Sequence, residues 1–187
     1  ADGGILCLMI DEPLERAVDV DAGRIHYDHT RYVGATGPDV GEAYADTRSV
    51  KPVKGGTMLI SGAAGPMGQM HVQRALEHPD GPSVVVATDI DDERLATLPQ
   101  RFGALAESNG RRLHTLNPVN LDPDAVDDQM ESYAPGGFDD VVVLVPVPQV
   151  IAGNAPYLGD HGMYNIFAGV ARGTMATMDV SDVALKG

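Results

Sequence analysis

The feature that most constrains the fold is a glycine-rich turn that joins an apolar stretch to an amphipathic one. The turn reads Gly62-Ala63-Ala64-Gly65-Pro66-Met67-Gly68 and follows the apolar residues Leu59 and Ile60. Glycines at a strand-to-helix turn let the backbone approach a pyrophosphate, which the free N–H groups of the helix N-terminus can bind. The spacing Gly-x-x-Gly-x-x-Gly is one residue longer than the usual dinucleotide-binding spacing, so the turn alone is a weak signal.

An acid at the end of the next apolar stretch strengthens that interpretation. Asp89 follows Gly68 by 21 residues and ends the run Val84-Val85-Val86-Ala87-Thr88. A carboxylate there can accept hydrogen bonds from an adenosine ribose and would repel a 2'-phosphate, so NAD is favoured over NADP. Turn and acid together predict a dinucleotide site that Ile90 and Arg94 also border. A helix-capping role for Asp89 and a solvated role for Arg94 stay open.

The remainder of the chain alternates short apolar runs with longer amphipathic stretches, which predicts an α/β fold with a doubly wound parallel sheet of the Rossmann type. The predicted strands lie near 57–61, 84–88, 112–116, 140–145 and 162–168. The first helix is predicted to begin at Pro66, with its apolar residues, including Met67 and Met70, filling core space. We expect Pro99 to shorten or kink the second helix.

Two further segments are predicted to border the cofactor, because ligands of such sheets gather outside the carboxyl ends of the strands. The first is Val145, Pro146 and Val147 after the fourth strand, and the second is Phe167, Ala168 and Gly169 after the fifth.

Residues 1–55 have a different pattern, with glycines scattered among short polar and apolar alternations. We therefore predict a partial catalytic-domain segment and connector over 1–55, a dinucleotide-binding domain over 56–180 and a tail over 181–187. Alternation through 24–33 predicts a strand. His26 and His29 flank Asp28 there, and packing or surface roles are favoured over metal binding.

The composition excludes some functions. With 27 acidic against 13 basic residues and a net charge of −14, the chain has no basic patch for a nucleic acid. Its first apolar run is too short for a membrane span and lacks a basic flank, so no membrane partner is expected. A single cysteine, Cys7, cannot build a disulfide framework or a multi-cysteine zinc lobe, and a cytoplasmic location is expected.

The proton-transfer motif Tyr-x-x-x-Lys of short-chain dehydrogenases is missing. The sequence instead resembles the nucleotide-binding domain of the medium-chain, zinc-type alcohol and polyol dehydrogenases. The resemblance rests on the glycine turn, the block Asp89-Ile90-Asp91-Asp92-Glu93-Arg94-Leu95 and Glu12-Pro13-Leu14. Gly-Pro-Met-Gly-Gln-Met-His at 65–71 and Asn-Ile-Phe-Ala-Gly-Val at 165–170 look most like the sorbose-1-phosphate reductase branch.

That resemblance implies an oxidoreductase that transfers a hydride between a nicotinamide cofactor and an alcohol, a polyol or a sugar phosphate. It implies zinc in the parent enzyme only, with Glu12 matching an acid beside that zinc. The family's amino-terminal zinc ligands have no counterpart here, so we assign no catalytic residue and expect a chain that binds cofactor without being catalytically complete. A non-catalytic, NAD-responsive binding module, a flavin or nucleoside site and a homo-oligomer stay open.

Overall fold

A computed structural model describes residues 3–35, 37–45 and 51–186 of the chain. The strands of the described residues are β1 Ile5–Met9, β2 Val18–Asp21, β3 Arg31–Ala35, β4 Thr57–Ser61, β5 Val84–Thr88, β6 Arg112–Leu116, β7 Phe138–Val143, β8 Leu158–Ile166 and β9 Met175–Met178. The α-helices are α1 Ala22–Tyr27, α2 Val40–Ala45, α3 Pro66–Glu77, α4 Asp92–Ser108, α5 Pro123–Tyr133, α6 Pro148–Asn154 and α7 Ser181–Leu185. None of these helices is long and apolar enough to cross a membrane.

The centre of the fold is a five-stranded parallel sheet in the order β6-β5-β4-β7-β8. Its three central strands, β4, β5 and β7, are buried on both faces because their alternate residues pack into two separate cores. Met58 and Ile60 pack with α3 and α4 on one face, while Leu59 packs with α5 and α6 on the other. This arrangement confirms the predicted α/β fold with a doubly wound parallel sheet.

The strand order reverses between β4 and β7. The chain runs outward from β4 through β5 to β6 and then crosses to β7 and β8 on the other side. The segments that follow β4 and β7 are neighbours, since the Leu144 N–H donates to the Ser61 carbonyl at 2.9 Å. Ligands of open α/β sheets bind at such a reversal, outside the carboxyl ends of the strands. The glycine turn lies at this point.

The amino-terminal residues are more regular than the scattered glycines suggested. Strands β1 and β3 pair in parallel, and β2 pairs antiparallel with β9. Helix α7 packs closely on β3, because a Cβ atom on Gly34 would stand 2.2 Å from the Val183 carbonyl oxygen. Chain segments far apart in sequence thus pack against one another, and the division at 55 and 180 stays a prediction.

The predicted strand over 24–33 is wrong in its first half, where the chain forms α1. The Asp21 carboxylate accepts the Arg24 N–H at 3.1 Å and caps this helix. At its other end Asp28 accepts from Arg24 Nε at 3.0 Å and from Arg172 Nε at 2.6 Å. Short alternation cannot separate a strand from one helical turn, and these polar contacts favour the helix.

Two features of the helices next to the glycine turn also differ from expectation. Helix α4 is not shortened by Pro99: it spans 17 residues with Pro99 inside it and with Leu98 and Phe102 buried, and a kink at Pro99 stays a prediction. Met67 and Met70 do not fill the core, since they are 44% and 61% exposed on the outer face of α3.

The carboxyl end of α3 is held by the Arg111 guanidinium, which donates to the carbonyl oxygens of Ala75 and His78.

Candidate dinucleotide-binding site

The turn between β4 and α3 needs glycine at two of its three glycine positions for reasons of folding. Gly62 has a φ of +82°, in the left-handed region, and a Cβ there would stand 2.8 Å from Val145 Cγ2. A Cβ on Gly68 would stand 2.3 Å from the Gly62 carbonyl oxygen, so this glycine lets α3 start directly against the strand end. Both positions shape the turn itself.

Gly65 is different, because nothing in the fold requires a glycine there. Its φ of −72° suits any residue, and a Cβ would have its nearest neighbour, the Gly62 carbonyl oxygen, at 3.7 Å. The residue is the N-cap of α3 and is partly exposed. A glycine that packing does not demand is the residue expected where a ligand approaches the backbone closely.

The first turn of α3 presents free donors beside Gly65. Within the residues that the structure describes, no acceptor engages the N–H groups of Gly65, Met67 and Gly68. Pro66 has no N–H to satisfy and suits the first helical position. Unsatisfied N–H groups at a helix N-terminus, together with the positive end of the helix dipole, form a site for an anion.

Asp89 lies directly beside this turn. Its Oδ2 accepts the Ala64 N–H at 3.1 Å, and its Oδ1 accepts the N–H groups of Ile90 at 2.9 Å and Asp91 at 3.3 Å. A carboxylate has about four acceptor positions, so Oδ2 keeps one for a further donor. The glycine turn and the acid that follows the next strand are therefore joined by a hydrogen bond between residues 25 positions apart.

The surroundings of Asp89 are negatively charged. The backbone N–H and guanidinium of Arg94 hold the pKa of Asp91 below its ordinary value, and the amide groups of Asn117 and Asn120 lower the pKa of Asp92. The Arg94 Nε binds Asp91 at 2.8 Å, while its Nη2 lies 3.9 Å from Asp89. This cation is thus already engaged by carboxylates.

Exposed apolar side chains flank the acid. Ile90 is 69% exposed, and Val119, beyond the end of β6, is 68% exposed. Asn117 bridges the two, donating to the Ile90 carbonyl at 3.0 Å and accepting the Val119 N–H at 3.1 Å. Val119 is not among the predicted site residues; the signal that could have identified it is its place just after the third predicted strand.

The two later segments adjoin the same edge of the sheet. Val145 is the residue that a Cβ on Gly62 would meet, and the segment Val145–Val147 leads into α6. The N–H groups of Phe167 and Ala168 donate to the Val143 carbonyl, at 3.0 and 2.9 Å. The Phe167 ring also lies edge-on to the His71 ring of α3, with centroids 4.8 Å apart.

Residues of the amino-terminal segment reach the same side. The His26 ring lies 5.9 Å from the Phe167 ring, and a Cβ on Gly169 would stand 3.2 Å from the Tyr27 hydroxyl. The predicted segments at 62–68, 145–147 and 167–169 therefore lie along one edge, with Asp89 on the opposite side of the turn. Sequence patterns could not place Tyr27 there. They predicted an irregular segment where β2 lies and a strand over 24–33, where Tyr27 is instead the last residue of α1.

Glu12 lies apart from any cluster of metal ligands. It is an exposed residue in a stretch without regular structure, and the described residues hold no group of three or more His, Cys, Asp or Glu side chains that could bind a metal. Zinc in proteins takes about four ligands, so this part of the chain does not fit a bound zinc ion.

The five-stranded parallel sheet and its strand order define a fold class, the Rossmann-type α/β domains. No protein-family model matches the chain. Among solved structures, it is similar to an alcohol dehydrogenase zinc-binding domain protein from Burkholderia ambifaria, at 26% identity and a TM-score of 0.52. That match covers 68% of this chain and 30% of the other.

Curated proteins show a more specific similarity. The chain is 33% identical over 151 residues to the uncharacterized protein YggP of Escherichia coli (strain K12), and 33% identical over 117 residues to mannitol-1-phosphate 5-dehydrogenase of Aliivibrio fischeri (strain ATCC 700601 / ES114). It is 30% identical over 127 residues to L-sorbose 1-phosphate reductase of Klebsiella pneumoniae. The matches cover 80%, 62% and 68% of this chain.

The chain spans about a third of the length of these relatives, 32%, 27% and 29% respectively. These matches confirm the predicted resemblance to the zinc-type, medium-chain alcohol and polyol dehydrogenases and to their sorbose-1-phosphate reductase branch.

Proposed function

We propose that this chain binds a nicotinamide cofactor and is the nucleotide-binding portion of an oxidoreductase. The observation that carries the proposal is the hydrogen bond from the Ala64 N–H to Asp89 Oδ2, at 3.1 Å. This bond unites an anion-binding turn with a ribose-binding acid in one site. Together the two features match the dinucleotide-binding pattern better than either does alone.

Each part of the site has a separate task in binding. The N–H groups of Gly65, Met67 and Gly68 receive the pyrophosphate, and the missing side chain at Gly65 lets it approach. Asp89 accepts a ribose hydroxyl at its remaining Oδ2 position, while Ile90 and Arg94 border the adenosine. The segments Val145–Val147 and Phe167–Gly169 border the nicotinamide side.

We infer NAD rather than NADP from the charges around Asp89. A 2'-phosphate would approach three carboxylates, those of Asp89, Asp91 and Asp92, with Arg94 already bound to Asp91 at 2.8 Å. Unit charges of like sign about 4 Å apart repel by roughly 1–4 kcal/mol at effective dielectric constants between about 80 and 20. The site therefore favours a free ribose.

The parent enzyme transfers a hydride between the bound cofactor and an alcohol, a polyol or a sugar phosphate. The sugar-phosphate class is supported by the names of two relatives, mannitol-1-phosphate 5-dehydrogenase and L-sorbose 1-phosphate reductase. When bound, the nicotinamide supplies the hydride chemistry, and the residues of this chain position it and shape its electrostatics. The 187-residue chain then binds cofactor without oxidising alcohols, because its described residues do not fit a zinc ion.

Titration of the 187-residue chain with NADH, followed by nucleotide fluorescence and by competition with ADP-ribose, tests the proposal. We expect saturable binding that ADP-ribose displaces, and weaker binding of NADPH. No binding at millimolar NADH would refute the proposal. Turnover of a polyol phosphate by this chain alone would contradict the expectation of catalytic incompleteness.

A further inference from the structure

The peptide group that precedes Gly65 is held in place by side chains on both sides of Ala64. The Ala64 N–H donates to Asp89 Oδ2 at 3.1 Å, and the Ala64 carbonyl oxygen accepts from Gln69 Nε2 at 2.9 Å. A trans peptide is planar, with its C=O and the following N–H pointing in opposite directions. The bond from Gln69 therefore also fixes the direction of the Gly65 N–H.

Gln69 is itself oriented by a residue of another helix. Its Oε1 accepts from Arg101 Nη1 of α4 at 2.6 Å, and the Arg101 guanidinium lies 5.2 Å from the centre of the Phe102 ring. An amide donates through its nitrogen and accepts through its oxygen. Since Ala64 offers an acceptor and Arg101 a donor, one orientation of the Gln69 amide satisfies both.

We propose that Gln69 and Arg101 are positioning residues for the pyrophosphate, acting through the Ala64–Gly65 peptide; the inference rests on the proposed cofactor binding. Rotation of this peptide would turn the Ala64 carbonyl oxygen toward the anion in place of the Gly65 N–H. Gln69 opposes that rotation, and Arg101 holds Gln69 in the orientation that does so. A donor fixed before the ligand arrives costs little to order on binding.

Two ligands separate this role from a general structural one. ADP-ribose carries the pyrophosphate, whereas adenosine has the same base and ribose without it. Gln69→Leu removes both hydrogen bonds of the side-chain amide. Gln73→Leu is a matched control one turn along α3, where the amide donates to Glu77 on the helix surface. We expect Gln69→Leu to bind ADP-ribose about fivefold more weakly, the effect of one neutral hydrogen bond. Adenosine binding and the Gln73→Leu variant stay at wild-type affinity.

Arg101 is tested by a double-mutant cycle. We expect Arg101→Gln to weaken ADP-ribose binding by about two- to threefold in the wild type and to have no further effect in Gln69→Leu, because it acts through that side chain. An equal, additive loss in both backgrounds would show direct contact with the ligand and overturn this part. If Gln69→Leu does not fold, Arg101→Gln, on the exposed face of α4, tests the positioning role by itself: it should weaken the binding of ADP-ribose and leave the binding of adenosine unchanged.

The outcomes separate the inference from the proposed function. Wild-type chain that binds neither NADH nor ADP-ribose refutes both. Wild-type chain that binds ADP-ribose, with variants that bind it equally well, overturns the inference and leaves the proposed function standing. Parallel losses for adenosine and ADP-ribose would also overturn it, because the effect would not lie at the pyrophosphate.

Discussion

Alanine at Gly65 and at Gly68 should have opposite consequences, although both residues belong to one motif. A Cβ on Gly68 would stand 2.3 Å from the Gly62 carbonyl oxygen and 2.5 Å from Ala63 Cα, whereas a Cβ on Gly65 would stand 3.7 Å from its nearest neighbour. Gly68→Ala therefore disturbs the fold. Gly65→Ala leaves the fold intact and obstructs the ligand.

The magnitudes follow from these distances. For Gly68→Ala, α3 must move by about 1 Å to restore ordinary contact, and overpacking of this kind costs about 1–3 kcal/mol. Alanine is more favourable than glycine in a helix by up to about 1 kcal/mol, so the net loss in the free energy of unfolding is near 1–2 kcal/mol. In a chain of this size that loss lowers Tm by roughly 2–8 °C. Gly65→Ala, at a φ of −72°, meets no clash, so its cost should be limited to the poorer N-cap of α3, at most about 1 kcal/mol.

The assay pairs thermal unfolding with NADH titration for both variants and the wild type. We expect Gly65→Ala to lower Tm less than Gly68→Ala does and to bind NADH about tenfold more weakly, because its methyl group lies where the pyrophosphate approaches. Equal destabilisation by the two substitutions would refute the packing argument. Wild-type NADH affinity in Gly65→Ala would refute the assignment of the pyrophosphate to this turn.

Three further predictions concern charge and capping. Asp89→Asn should raise the ratio of NADPH to NADH affinity at least about fivefold, since it removes one repelling carboxylate, and parallel titrations with both cofactors measure it. Arg111→Met should cost about 1–3 kcal/mol in urea unfolding through the lost cap of α3, with exposed Arg112→Met as the control and NADH affinity unchanged. The guanidinium of Arg172 lowers the pKa of Asp28 from its ordinary 3.8, so the ion pair stabilises the fold above that pH and is lost as the pH falls through the lowered value. Asp28→Asn should therefore destabilise the chain at pH 7, and urea unfolding at pH 7 and pH 3 should show this difference shrinking in acid.

The sheet and the glycine turn could be predicted because their signals are local. Strand β4 and the strands at 84–88 and 112–116 have the bounds that their apolar runs indicated, and α3 begins at Pro66. Strands β7 and β8 begin and end earlier than predicted, at Phe138–Val143 and Leu158–Ile166. Strand ends are set by hydrogen bonds to neighbours, which a run of apolar residues does not record.

Other features depend on contacts between distant parts of the chain. The bond between Gln69 and Arg101 joins residues 32 apart, and that between Arg172 and Asp28 joins residues 144 apart. No periodicity indicates such pairs. Met67 and Met70 were assigned to the core because they are apolar, but the side of α3 that faces the sheet is occupied by Val72 and Leu76. Hydrophobicity alone did not identify the buried face.

The most direct test of the central claim is an amide NMR titration of the 187-residue chain with NADH. The proposed site predicts that the largest shifts occur at the Gly65, Met67 and Gly68 amides, whose N–H groups receive the pyrophosphate, with further shifts at Ala64 and Ile90 beside Asp89. ADP-ribose should reproduce this set. Saturating NADH that leaves these amides unshifted, or that shifts a separate surface instead, would contradict a cofactor site at the glycine turn.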